Sequence, residues 1–162
     1  MAVSPFEPTG VAWIAVSPRL ALARRGVMCV LLLIPALAAV AASVSGLPGW
    51  VALLAVLPLA AIGWAWWLIG RQVAAIGYAE RDDDLLVRRG VMWREIVVVP
   101  YGRMQYVDVQ AGPVDRWVGI ARLQLHTASA GTDAQIPGLE ADEAARLRDR
   151  LASRGEAQLA GL

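Results

Sequence analysis

Few residues of this chain are of the types that do covalent chemistry. Its 162 residues include one histidine, His126, and one cysteine, Cys29, and every basic side chain is arginine. Histidine is the usual general base near neutral pH because imidazole titrates there. His126 ends the alternation Arg122-Leu123-Gln124-Leu125-His126-Thr127, which puts it on the polar side of a strand with Arg122 and Gln124. No Gly-x-Ser-x-Gly elbow accompanies it, so it reads as a solvent-facing strand residue. A lone Cys29 excludes an internal disulfide, and inside an apolar run a thiol packs as a small hydrophobe. Glu80-Arg81-Asp82-Asp83-Asp84 gathers oxygen ligands but lacks the alternating spacing and distant glutamate of a calcium loop. It reads as a solvated hairpin turn. With no Walker sequence and no Gly-x-Gly-x-x-Gly after a strand, the expectation is a non-enzymatic protein with no cofactor and no metal.

The elements around these residues begin with an excess of apolar character. Hydrophobic residues make up 57% and charged residues 18% of the chain, outside the range of an ordinary soluble domain. No charge falls between Gly26 and Gly70, a run of 45 residues. Residues 26–45 would span ~30 Å as a helix, the thickness of a bilayer's hydrocarbon core. Ser45-Gly46-Leu47-Pro48-Gly49 then reads as a tight turn, and residues 50–70 as a second membrane helix. Trp50 at one end and Trp64, Trp66 and Trp67 at the other fit interfacial belts.

A cleaved signal peptide is opposed by the second apolar segment and by the long stretch before the first. A buried soluble hairpin is opposed by the 92 residues that would have to hide it. The helices lack ionisable residues, so they suit an anchor and not a proton or ion path. Arg19, Arg24 and Arg25 precede the hairpin, Arg71 and Arg81 follow it, and the turn has none. That distribution predicts a plasma-membrane protein with both termini cytoplasmic. Residues 1–25 are expected to form an arm along the inner membrane surface, disordered over the first ten.

Residues 71–154 carry the water-soluble domain, with 155–162 expected as a flexible tail. Period-two alternation predicts strands at 122–127 and 105–110, and β-branched enrichment predicts them at 85–89 and 95–99 about a turn at Gly90. Further strands are expected within 72–80 and at 134–137, after a turn at 129–132. Ala144, Leu147 and Leu151 recur at helical spacing behind acidic Glu140, Asp142 and Glu143, predicting one amphipathic C-terminal helix.

Residues 100–121 are denser in polar and special-geometry residues than a plain sheet requires. Pro100, Arg103, Gln105, Val107, Gln110, Gly112, Pro113, Arg116, Gly119 and Ala121 occur there in order. This stretch resembles the bacterial PH-like domain of the YdbS-like membrane proteins, with Ile120 in place of the usual leucine. The order of elements, a basic arm, a two-helix hairpin, strands and a C-terminal helix, agrees over about residues 13–152. The resemblance implies a membrane α-hairpin plus a mainly-β PH-like split barrel of about seven antiparallel strands, capped by a C-terminal α-helix. It implies no catalytic residues.

Arg103, Gln105, Gln110, Gly112, Pro113, Arg116 and Gly119 thus form the candidate motif. The four polar side chains are expected to fix the Gly112-Pro113 turn through backbone carbonyls, with a partner surface as the competing reading. Fifteen basic against 14 acidic residues exclude a global attraction to nucleic acid. The expected partners are the lipid bilayer and other membrane proteins, or a second copy of the chain. An adaptor or scaffold leads. Anionic-lipid binding through Arg88, Arg89 and Arg94 is the alternative, as is an accessory subunit of a transport complex.

Overall fold

The computed structural model describes residues 11–128 and 133–160. The expected disorder of residues 1–10 and the turn at 129–132 lie outside the described residues. The chain divides into two compact units, residues 21–71 and the remainder.

The first unit is helical. α1 runs from Arg19 to Val44, starting seven residues before the expected boundary. Ser17 and Pro18 account for the early start. The Ser17 hydroxyl accepts a bond from the Arg19 N–H at 3.4 Å, and proline at the head of a helix gives up an N–H that would be unpaired anyway. The return segment also differs from the single helix expected at 50–70. A 3₁₀ helix covers Gly49–Ala55, and α2 covers Val56–Ala74. Pro58 sets this break, since proline is tolerated in the first turn of a helix but removes a bond from its interior. Within the unit the Arg25 guanidinium donates to the Trp66 carbonyl at 3.1 Å and lies 4.5 Å over the Trp66 ring. The start of α1 therefore meets the end of α2. Both segments are long and apolar enough to cross a membrane, and their side chains are mostly exposed.

Among the described residues the second unit holds seven strands in two antiparallel sheets, in the orders β1-β2-β3-β4 and β5-β6-β7. They are β1 Ile14–Ala15, β2 Gly77–Glu80, β3 Asp84–Arg89, β4 Glu95–Pro100, β5 Met104–Gln110, β6 Ile120–Thr127 and β7 Ala134–Glu140. A short α3, Pro113–Val118, joins β5 to β6, and α4, Ala141–Ala160, follows β7. Period two does its work here. Tyr78, Leu85, Val87 and Val99 share one face of the first sheet and are buried, while Leu123, Leu125 and Ile136 do the same in the second. Ala144, Leu147 and Leu151 of α4 add to this core. The expected antiparallel strands with a C-terminal helical cap are thus present.

Two expectations about the ends of this unit are corrected. Residues 14 and 15 leave the expected surface arm to pair with Tyr78 and Gly77 as an edge strand. That pairing covers one side of β2, whose unpaired N–H and C=O groups would otherwise face solvent. Residues 155–160 are helical and not a free tail. Gly155 is buried where α4 packs beside Met104 and the Tyr101 carbonyl, and an added methyl would make ordinary contact there at 3.7 and 3.8 Å. Packing thus carries the helix through a residue that favours a stop.

Candidate functional site

The motif residues gather around β5 and α3. Gly112 starts α3, its N–H donating to the Asp115 Oδ2 at 3.2 Å, and Pro113 opens the first turn. Gly119 ends α3 in the left-handed conformation, with φ of 74°. Arg103 lies in the 3₁₀ turn Tyr101–Arg103, Gln105 enters β5, Gln110 leaves it opposite Arg122, and Arg116 sits on α3. All four are exposed.

Their expected bonds to backbone carbonyls are not formed. Among the described residues no side-chain hydrogen bond or ion pair joins Arg103, Gln105, Gln110 or Arg116 to anything, and Asp115 fixes the turn instead. A capping carboxylate satisfies helix-start N–H groups, which a guanidinium, being only a donor, cannot do. The four side chains are therefore free surface groups.

β5 also brings together what spacing alone could not reveal. Tyr106 stands opposite His126, and their rings stack with centroids 4.3 Å apart and planes 18° from parallel. The stack half-buries His126, which corrects the expected solvent-facing residue. Its Nδ1 is 3.5 Å from Asp133 Oδ2 and its Nε2 is 3.9 Å from Asp108 Oδ2. Asp133 also accepts the Thr127 N–H at 2.9 Å, so one carboxylate serves both the strand end and the imidazole. Asp108 faces Gln124, and Gln110 faces Arg122, so the outer side of β5 and β6 is a polar row that ends in the aromatic pair. Tyr106 is 53% exposed there.

The strongest electrostatics lie elsewhere, between the first sheet and α4. Glu80 accepts from Arg146 at 3.5 Å and Arg150 at 3.1 Å, and Tyr78 donates to Glu143 at 2.6 Å. Arg146 also pairs with Glu143. The bonds from Arg146, and then from Tyr78, hold the Glu143 carboxyl at about 2 against partial burial, while burial pushes the Tyr78 hydroxyl up. Arg81 pairs with Asp84 within the acidic turn, whose Asp83 carbonyl accepts the Tyr101 N–H. These bonds tie α4 and the 80–84 turn to the sheet. The acidic run is a structural turn.

Arg88, Arg89 and Arg94 line a cleft of about 190 Å³ with Ala74, Ala75, Gly90, Glu95 and Ile96. Arg89 is paired with Glu95 at 2.9 Å, and Arg88 lies 4.7 Å over the Trp13 ring with its Nε buried and unbonded. Sequence reasoning passed over three exposed apolar side chains at this unit's surface. Met92 and Trp93 are 85% exposed and Trp117 is 88% exposed. The one available signal was Trp117 on a segment between Pro113 and Gly119 too short to bury it.

The bacterial PH domain family matches residues 18–155 of the chain. The transmembrane protein YdbS of Bacillus subtilis (strain 168) is 34% identical over 74 residues, which cover 46% of this chain and 45% of that relative. The matched segment thus spans about half of either protein. No solved structure matches the chain.

Proposed function

The chain belongs to the bacterial PH domain family, and on that premise we propose that it is a non-enzymatic, membrane-anchored adaptor whose domain binds another protein through the outer face of β5 and β6. The two apolar helices supply the anchor, so the domain is not needed for recruitment to the membrane. The observation that carries the reading is the exposed Tyr106 stacked on His126, at one end of a polar row formed by Asp108, Gln124, Gln110 and Arg122. Tyrosine and arginine are the side chains that protein interfaces favour, because each presents a large contact area with a polar handle. A stacked aromatic is already ordered, so it loses little freedom on binding.

The test is a photo-crosslinking residue at position 106 of the full chain in its native host, followed by mild detergent extraction. A second protein joined through position 106, and lost on Arg122→Glu, is the expected result. Repeated recovery of the chain alone would overturn the reading.

A further inference from the structure

We propose that the end of the PH-like domain bearing α3 and the β3–β4 loop (residues 90–94) is a lipid-facing surface, with Met92, Trp93 and Trp117 entering the interfacial layer of the bilayer. This goes beyond the adaptor reading, uses a different face, and rests on the spanning helices alone.

Among the described residues the three side chains are the most exposed large apolar groups of the domain. Trp117 lies two residues before Gly119, where an added methyl would be 3.4 Å from the Arg19 guanidinium. Arg19 opens α1, and seven residues separate it from Gly26, where the uncharged run begins. At ~1.5 Å per residue that is at most ~10 Å, whatever the tilt of the helix. Gly90 and Arg94 line one cleft with Ala74 and Ala75. Ala74 ends α2 and is four residues, ~6 Å, past Gly70. The headgroup layer on each side of the hydrocarbon is itself ~5–8 Å deep. Both loops therefore stand within reach of that layer.

The chemistry of the rim suits lipid. Tryptophan favours the headgroup region because its ring is apolar and its N–H wants an acceptor. Val114 is exposed three residues before Trp117, so the two share a face of α3. The β3–β4 loop turns on a glycine. At Gly90, φ is 96° and an added methyl would strike the Trp93 carbonyl at 1.8 Å, so only glycine permits the turn that presents Met92 and Trp93. Arg94 and Arg116 flank the tryptophans and form no ion pair among the described residues, which leaves them for lipid phosphates. The opposite end of the first sheet, the 80–84 turn, has no exposed large apolar side chain and carries four carboxylates.

The test uses the full chain with Cys29→Ser and a single fluorescent thiol label at Met92→Cys or Val114→Cys, which keep both tryptophans, or at Asp82→Cys as the far-end reference. The chain is placed in bilayers of phosphatidylcholine, alone or with phosphatidylglycerol, containing lipids with a nitroxide quencher at the headgroup. Quenching at 92 and 114 severalfold above that at 82, in both membranes, is the expected result. Equal quenching at all three positions would overturn the proposal. Protection of 92 and 114 from aqueous iodide without lipid quenching marks a protein occupant and would also overturn it, as would quenching that appears only with phosphatidylglycerol, since charge alone would then explain it.

Discussion

At the residue scale, Gly138 and Glu143 do more than their types announce. Gly138 sits in β7 beside the irregularity created by Pro137, with φ of 74°. Its carbonyl accepts the Ser17 N–H at 2.8 Å, and an added methyl would meet the Leu20 side chain at 2.7 Å. Gly138→Ala combines left-handed strain with a clash against a buried leucine, so it should destabilise the domain by about 2 kcal/mol. Thermal unfolding of the detergent-solubilised chain measures this, and an unchanged midpoint would contradict it. Glu143 is a titration prediction. Its carboxyl ordinarily titrates at 4.5 and is held at about 2 in the fold by Arg146 and Tyr78. A depressed carboxylate stabilises fully above its unfolded value, and the contribution is lost as pH falls through the folded one. The chain should therefore lose stability between about pH 4.5 and 2, and Glu143→Gln should flatten that segment of the curve. Equal slopes for the two proteins would show that Glu143 is not the group responsible.

At the element scale, what was legible in the sequence followed from how local each signal is. Strands 84–89 and 120–127 were readable because alternation is a property of consecutive residues, and α4 because Ala144, Leu147 and Leu151 fall on one stripe. β1 was not readable. Two residues carry no period, and their partners Tyr78 and Gly77 lie far along the chain. The Tyr106–His126 stack needed the β5–β6 register, which Gln105 shifts by sitting in a bulge between Met104 and Tyr106. The expected carbonyl bonds of the motif depend on geometry that its order in sequence does not carry, since that order does not say that Asp115 caps the helix. Asp115→Ala should cost about 1 kcal/mol, the usual loss for a helix-start cap. Arg116→Ala, by contrast, should leave the unfolding midpoint unchanged. Equal losses in the two variants would return Arg116 to a structural role.

At the scale of the whole molecule, the two ends of the helical hairpin enter one domain. β1 and Ser17 precede α1, β2 follows α2 after only Ala75 and Ile76, and β1 pairs with β2. Both helix ends that join the sheet must then lie on the same side of the membrane, because a strand pair cannot form across a bilayer. The arginines say which side. Arg19, Arg24, Arg25 and Arg71 flank those ends, and the connection from Ser45 to Gly49 has no charge. Retained basic flanks face the cytoplasm, so the domain is expected inside and the connection outside. A membrane-impermeant thiol reagent on intact cells measures this directly. In a Cys29→Ser background, Ser45→Cys should be labelled at once, and Asp82→Cys only after the membrane is opened. Labelling in the reverse order would invert the topology, placing α3 and the β3–β4 loop against the outer leaflet. Labelling of both positions in intact cells would mean that the pairing of Ile14 with Tyr78 does not hold the two helix ends on one side.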